Sequence, residues 1–157
     1  MRKNVLSKYV AIALCSVAFV GGQDAFAAPA SATGTNAYAV VDNAVADGLS
    51  AIAIGAQSEA KGERTIAVGQ LAKATATNAV AIGFRASSPK ESSTAVGFDA
   101  HTDGEYATAY GTMTQAMADN TTAIGHGANA LGEGATALGT KSMAKKIGGT
   151  AVGTNAN

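Results

Sequence analysis

The feature of this sequence that most constrains its fold is a three-residue step that returns every 14 residues. The copies follow one another without a single insertion or deletion. The eight copies are Ala53-Ile54-Gly55, Ala67-Val68-Gly69, Ala81-Ile82-Gly83, Ala95-Val96-Gly97, Ala109-Tyr110-Gly111, Ala123-Ile124-Gly125, Ala137-Leu138-Gly139 and Ala151-Val152-Gly153. A fixed period of this kind predicts a solenoid, in which each unit is completed by its neighbours.

Each unit contains two short segments in which small and larger side chains alternate. We number the positions so that the glycine of the step is position 14, which places unit 1 at residues 28–41 and unit 9 at residues 140–153. Small residues fill positions 3, 5, 10 and 12, whereas branched aliphatic residues are frequent at positions 11 and 13. Alternation with a period of two is typical of β-strands, and recurring glycine disfavours a helix. The sequence therefore predicts an all-β fold, a flattened parallel β-roll of about nine coils.

The small positions are predicted to lie inside the roll, because a coil of 14 residues is too narrow to enclose the larger rows. The larger residues would then point outward as an apolar stripe, and exposed patches of that size mark interfaces. Three copies around one axis would bury the stripe compactly. In the alternative arrangement, the aliphatic residues fill the roll and alanine faces water. The predicted subunit interface comprises Ile52, Ile54, Ile66, Val68, Val80, Ile82, Val96, Tyr110, Ile124, Leu138 and Val152.

Composition supports a thin structure and excludes several classes of function. Aromatic residues make up 5% of the chain, tryptophan is absent, and 19 glycines are present. The formal net charge is zero, so no basic surface invites nucleic acid. Cys15 is the single cysteine, which excludes an intrachain disulfide.

The first 27 residues have the layout of a secretory signal peptide. Arg2, Lys3 and Lys8 precede an apolar run over residues 9–20, and Ala25-Phe26-Ala27 supplies small residues before a cleavage site. The run is shorter than the roughly 20 residues that a membrane-spanning helix needs. We therefore predict a signal peptide over residues 1–27 and a β-roll domain over residues 28–157.

The repeated step, its period and the leader together resemble the head domain of trimeric autotransporter adhesins, the YadA-like head. The resemblance implies a left-handed parallel β-roll, a homotrimer and display on a Gram-negative outer membrane. It also implies attachment to a host extracellular matrix protein, collagen-like or fibronectin-like, or to a host cell surface. Such adhesins continue into a coiled-coil stalk and a C-terminal barrel, and neither pattern follows Asn157. We expect the chain to be a head without its stalk and membrane anchor.

One family motif points to a ligand face. In the family, Asn-Ser-Val-Ala-Ile-Gly followed by a later serine is tied to collagen binding. Residues 78–83 match except that Ala79 replaces serine, and Ala86 stands where the later serine would be. Residues 120–125 match with threonine at the second and third places. The predicted ligand face is Asn78, Val80, Ile82, Asn120, Thr122 and Ile124. Asn78 is also a residue type that stabilises a turn.

No residue pattern indicates catalysis, a metal site or a cofactor. His101 and His126 occupy different positions of the repeat, so the period gives no reason for them to meet. Asp99 and Asp103 lie near His101, but such spacing is typical of polar loops. We predict a non-enzymatic protein.

Two other classes of function stay open. Position 11 carries Thr94, Thr108, Thr122, Thr136 and Thr150, a regular hydroxyl row of the kind that suits ice binding. Two features disfavour ice binding: each unit has only one such threonine, and the outward-facing residue next to that threonine is a large aliphatic one. The other class is a trimeric phage fibre, which a signal peptide disfavours.

Overall fold

The computed structural model describes residues 30–157, and this part of the chain is built from 18 short β-strands joined by turns. The predicted signal peptide lies outside the described residues. Nowhere between residues 30 and 157 is there a helix long and apolar enough to cross a membrane.

Every coil contributes one strand of two residues and one of three. The strands are β1 Ser31–Ala32, β2 Tyr38–Val40, β3 Val45–Ala46, β4 Ile52–Ile54, β5 Glu59–Ala60, β6 Ile66–Val68, β7 Lys73–Ala74, β8 Val80–Ile82, β9 Ser87–Ser88, β10 Thr94–Val96, β11 His101–Thr102, β12 Thr108–Tyr110, β13 Gln115–Ala116, β14 Thr122–Ile124, β15 Asn129–Ala130, β16 Thr136–Leu138, β17 Met143–Ala144 and β18 Thr150–Val152.

The strands form two nine-stranded parallel sheets. The odd-numbered strands, β1 to β17, have two residues each and form the first sheet. The even-numbered strands, β2 to β18, have three residues each and form the second sheet. Each strand pairs with the strand one coil later, so that Ala81 lies beside Ala67 and Ala95. The prediction of a parallel β-solenoid of about nine coils is confirmed.

Alanine fills the space between the two sheets. All buried apolar residues in the described chain are alanines, and Ala53, Ala81 and Ala123 are fully buried. Ile82 and Ile124, each next to a buried alanine, keep 38% of their surface exposed. Alternation along a strand sends neighbouring side chains to opposite faces, and only a small side chain fits the inner one. The alternative arrangement, with aliphatic residues inside, is not the one the chain adopts.

Two tight turns close each coil, at positions 14 to 3 and 7 to 10. The Ser58 N–H donates to the Gly55 carbonyl at 3.0 Å in one kind of turn, and the Ala79 N–H donates to the Ala76 carbonyl at 3.2 Å in the other. The third residue of each turn has a positive φ, as in a type II β-turn. Between residues 30 and 157, sixteen non-glycine residues adopt a positive φ, including Leu71 at 61°.

Hydrogen bonds between coils hold these turns in place. The Leu71 N–H donates to the Ala56 carbonyl at 3.0 Å, one coil earlier, and the same pattern recurs along the rod. A left-handed residue other than glycine costs about 1–2 kcal/mol, which the repeated backbone bonds offset. Gly83 at position 14 has a φ of 132°, and a Cβ built there would lie 2.2 Å from the Gly97 carbonyl oxygen. In coils 2 to 8, position 14 therefore requires glycine for both conformation and space, whereas coil 1 has Val41 there with a φ of 78°.

Candidate interaction surface

The outer face of the second sheet carries the predicted apolar stripe. We call this surface the outer stripe; it consists of positions 11 and 13 of coils 2 to 9. Its position-13 residues are exposed or half-buried, and its position-11 residues are half-buried in most coils. Strand pairing sets them in register: Ile54 lies beside Val68, and Val68 beside Ile82. The structure places all the predicted interface residues on this one face. They are Ile52, Ile54, Ile66, Val68, Val80, Ile82, Val96, Tyr110, Ile124, Leu138 and Val152.

The outer stripe changes in character along the rod. In coils 2 to 4, position 11 is Ile52, Ile66 and Val80, so both rows are aliphatic. From coil 5 onward the pairing places a threonine at every position 11. The predicted hydroxyl row is therefore present in register, and it consists of Thr94, Thr108, Thr122, Thr136 and Thr150. Larger side chains at position 13, such as Tyr110 with 58% exposure, stand beside it.

The outer face of the first sheet is polar and held by ion pairs. Lys61 Nζ lies 2.7 Å from one oxygen of Glu59, and Lys73 Nζ lies 3.5 Å from the other. The hydrogen bond from Lys61, helped by the charges of both lysines, lowers the pKa of Glu59 below its ordinary value. The same bond raises the pKa of Lys61. These charges make the first sheet a solvated face.

The predicted ligand residues fall on two kinds of surface. Asn78 and Asn120 are exposed turn residues at position 9, with φ values of 59° and 58°. The Asn78 side-chain oxygen accepts a hydrogen bond from Arg64 Nε at 2.8 Å, so Asn78 links two adjacent turns and remains accessible. The other four predicted ligand residues, Val80, Ile82, Thr122 and Ile124, belong to the outer stripe.

Three of the four departures from the family motif lie inside the roll, and the fourth, Thr122, lies on the outer stripe. Ala79 and Ala86 are fully buried. Thr121, at the same position as Ala79, is also buried and donates its hydroxyl to the Ala118 carbonyl at 2.6 Å. None of these three side chains can contact a ligand. The outer surface of residues 78–83 therefore keeps the motif's asparagine, valine and isoleucine.

The structure does not assemble a catalytic or metal site from the polar residues that the sequence offered. Asp99 pairs with Arg85, at 3.5 Å between Nε and Oδ1. His101 lies in β11 on the first sheet, and His126 lies in a turn. Within residues 30–157 no three histidine, cysteine, aspartate or glutamate side chains are grouped so that they could hold a metal ion.

One surface feature was missed by the sequence reasoning. Phe84 and Phe98 occupy position 1 of adjacent coils, and their rings stack with centroids 5.4 Å apart and planes 13° apart. Both rings stay partly exposed. The signal was present as two phenylalanines 14 residues apart, but seven of the nine coils have another residue at that position.

These features define a class of protein: a repeat domain whose working surfaces are the outer faces and edges of a thin parallel β-solenoid. A family model, the YadA head domain repeat, matches residues 32–58, 46–72, 60–86, 89–112 and 116–142. The chain therefore belongs to the YadA head domain repeat family, a family of adhesins and not of enzymes.

A solved structure agrees with this assignment. The crystal structure of the collagen-binding domain of the Yersinia adhesin YadA is similar, with a TM-score of 0.72 and 32% sequence identity. The similarity covers 80% of this chain and 70% of that one. A comparison with curated protein sequences gave no match.

Proposed function

We propose that the chain is the head of a bacterial surface adhesin that attaches to a host extracellular matrix protein, collagen-like or fibronectin-like, or to a host cell surface. The observation that carries the proposal is the exposure of Asn78 and Asn120 at the turns of a roll that is similar to a collagen-binding domain. Export by a signal peptide over residues 1–27 and display at a Gram-negative outer membrane belong to the same proposal. No cofactor is required, because attachment is a binding function.

The proposal includes a homotrimer formed through the outer stripe. In a single copy, Leu138 and Val152 expose 43% and 63% of their surface, which is unusual for side chains of this type in so long a row. Three copies around an axis parallel to the rod would remove the row from water by symmetry. Burial of apolar area, at about 25 cal/mol per Å², supplies the driving force.

The trimer decides which predicted ligand residues stay available. Val80, Ile82 and Ile124 belong both to the predicted interface and to the predicted ligand face, and one surface cannot serve both at once. We assign these aliphatic residues to the subunit interface. Asn78 and Asn120 lie on the turn beside the stripe and remain accessible for a ligand. Three copies would repeat these weak sites, so that avidity raises the overall affinity.

A solid-phase binding assay on immobilised collagen and fibronectin tests the proposal. We expect the purified chain to bind at least one of them, and the double variant N78A/N120A to lose roughly tenfold in affinity, because hot-spot truncations typically cost 1–2 kcal/mol. The matched control is N36A/N155A, which removes turn asparagines at the two ends of the rod. Full binding by N78A/N120A would contradict the assignment of these two residues. Failure of the unchanged chain to bind matrix proteins and host cells would contradict the function.

Ice binding is a second candidate, favoured by the in-register threonine row. Regular hydroxyls along a flat solenoid suit an ice surface, but Tyr110 and Leu138 interrupt the flatness beside them. Thermal hysteresis of the purified chain separates the two functions. A clear freezing-point gap would favour ice binding, and its absence together with matrix binding favours the adhesin.

A further inference from the structure

Aromatic residues are concentrated at one height of the rod. Of the five aromatic residues in the described chain, Phe84, Phe98, Tyr106 and Tyr110 all belong to coils 5 and 6, and Tyr38 lies at the opposite end. The two phenylalanines expose 38% and 46% of their surface, and the two tyrosines expose 57% and 58%. Exposed aromatic side chains are enriched in protein interfaces, where they supply much of the binding energy. The surface of coils 5 and 6 therefore has the composition of a protein interface.

The aromatic residues flank the outer stripe on both sides. Phe98 comes two residues after β10 ends at Val96, and Tyr106 comes two residues before β12 begins at Thr108. The phenylalanines thus lie on one long edge of the second sheet and Tyr106 lies on the other. We call these the phenylalanine edge (Phe84, Arg85 and Phe98) and the tyrosine edge (Glu91, Glu105 and Tyr106).

Rotational symmetry brings these two edges together. An axis parallel to the rod keeps every coil of each copy at the same height, and in a closed ring one edge of a copy meets the opposite edge of the next. Phe98 and Tyr106 both belong to coil 6, which spans residues 98–111. They would therefore face each other between copies, aromatic ring against aromatic ring.

The charges of the two edges are complementary in coil 5. Arg85 and Glu91 both belong to coil 5, one on each edge. Arg85 already contacts Asp99 at 3.5 Å, but a guanidinium has five N–H donors and keeps some for a second carboxylate. Asp99 would lie at the same height as Glu105 of the next copy. Within its own copy, Asp99 is paired with Arg85. The edges therefore meet with an unlike pair in coil 5, whereas Asp99 and Glu105 in coil 6 are like charges and Arg85 is the one positive charge shared between the two levels.

We propose that the phenylalanine edge of one copy packs against the tyrosine edge of the next, with Phe98 on Tyr106 and Arg85 on Glu91. The partner is a second copy of this chain, and the contact is heterologous, so it closes a ring rather than a pair. The inference rests on the proposed homo-oligomer and adds to it a specific side-chain contact beside the outer stripe.

Engineered cysteines test the contact directly. In a chain with Cys15 replaced by serine, the double variant F98C/Y106C should give disulfide-linked rings of three chains on a non-reducing gel after mild oxidation. The single variants F98C and Y106C should stay uncrosslinked, because a heterologous contact never brings a residue against its own copy. The matched control A56C/Y106C places one cysteine three coils lower on the same edge, about 14 Å away, and should not crosslink.

A charge swap gives a second readout that does not depend on cysteine. R85E should weaken subunit association by roughly tenfold, and R85E/E91R should restore it, as expected for a close charge pair. Circular dichroism of each variant checks that the roll is folded.

The outcomes separate this contact from the proposed oligomer. An oligomer that forms normally without the F98C/Y106C crosslink and without an R85E effect would overturn the edge contact alone. Crosslinking by F98C by itself would show an isologous pair and overturn the ring. Loss of matrix binding by F84S/F98S with unchanged association would make the edge a ligand site and overturn the proposal. A folded but strictly monomeric chain would overturn the oligomer and the edge contact together.

Discussion

The two halves of each coil share a left-handed turn residue and an alanine-rich interior but have opposite exteriors. Both halves turn through a left-handed third residue, at positions 2 and 9, and both bury alanine. The first sheet presents mostly charged and polar residues to water, while the second presents mostly aliphatic residues and threonine. The first-sheet row at position 4 is Ser31, Val45, Glu59, Lys73, Ser87, His101, Gln115, Asn129 and Met143. The interior thus determines the fold, and the exterior determines what each face contacts.

The largest effect should come from enlarging an interior residue. Ala81→Leu puts a bulky side chain into a site with no exposed surface, and we expect it to lower the free energy of unfolding by about 3 kcal/mol or more. The matched control is Ile82→Leu, one residue along on the outer face, which should change stability by less than about 0.5 kcal/mol. Urea denaturation followed by circular dichroism measures both. Equal losses of stability in the two variants would contradict the placement of Ala81 inside the roll and Ile82 on its outer face.

A smaller effect should separate two kinds of glycine. Gly83→Ala combines a φ of 132° with a carbonyl oxygen 2.2 Å from the new Cβ, and we expect a loss of about 3 kcal/mol. Gly134→Ala has a φ of 65° and open space around its Cβ, so the loss should be about 1 kcal/mol. Denaturation midpoints of the two variants decide the comparison. A Gly134 variant as unstable as the Gly83 variant would show that conformation, and not crowding between coils, governs position 14.

The smallest effect concerns the charged face. The pKa of Glu59 is lowered, mainly by its hydrogen bond from Lys61, so its contribution is present above its ordinary pKa and is lost as pH falls through the folded value. Both partners are partly exposed, so solvent screening limits the pair to less than about 0.5 kcal/mol. Glu59→Gln should therefore be slightly less stable than the unchanged chain at pH 6, and the difference should shrink as the pH falls below the ordinary pKa of glutamate. A difference that grows on acidification would contradict this sign.

The same contrast explains what could be predicted from the sequence. The period of 14 and the narrowness of such a coil predict the alanine interior, the parallel sheets and the outward direction of Ile54 or Ile124. The left-handed turns at Leu71 and Met113 were not predictable from local preference, because leucine and methionine disfavour that conformation. The neighbouring coils impose it through backbone hydrogen bonds.

The contacts along the edges of the sheets could not be predicted from the repeat, for a different reason. The Phe84–Phe98 stack depends on a residue type that occurs at position 1 in only two coils, so the repeat itself carries no trace of it. The ion pair of Arg85 with Asp99 likewise joins single residues of adjacent coils. Such features need the register between coils, which places residues 14 apart side by side.

Sedimentation equilibrium on the purified chain and on the triple variant I54S/I82S/I124S tests the central claim most directly. Because alanine already fills the interior, the three isoleucines are not needed to fill the coil that carries them. We predict that the unchanged chain forms trimers and that the triple variant is monomeric with an unchanged circular dichroism spectrum. A folded chain that stays monomeric at every concentration, or a triple variant that unfolds instead of dissociating, would contradict the account.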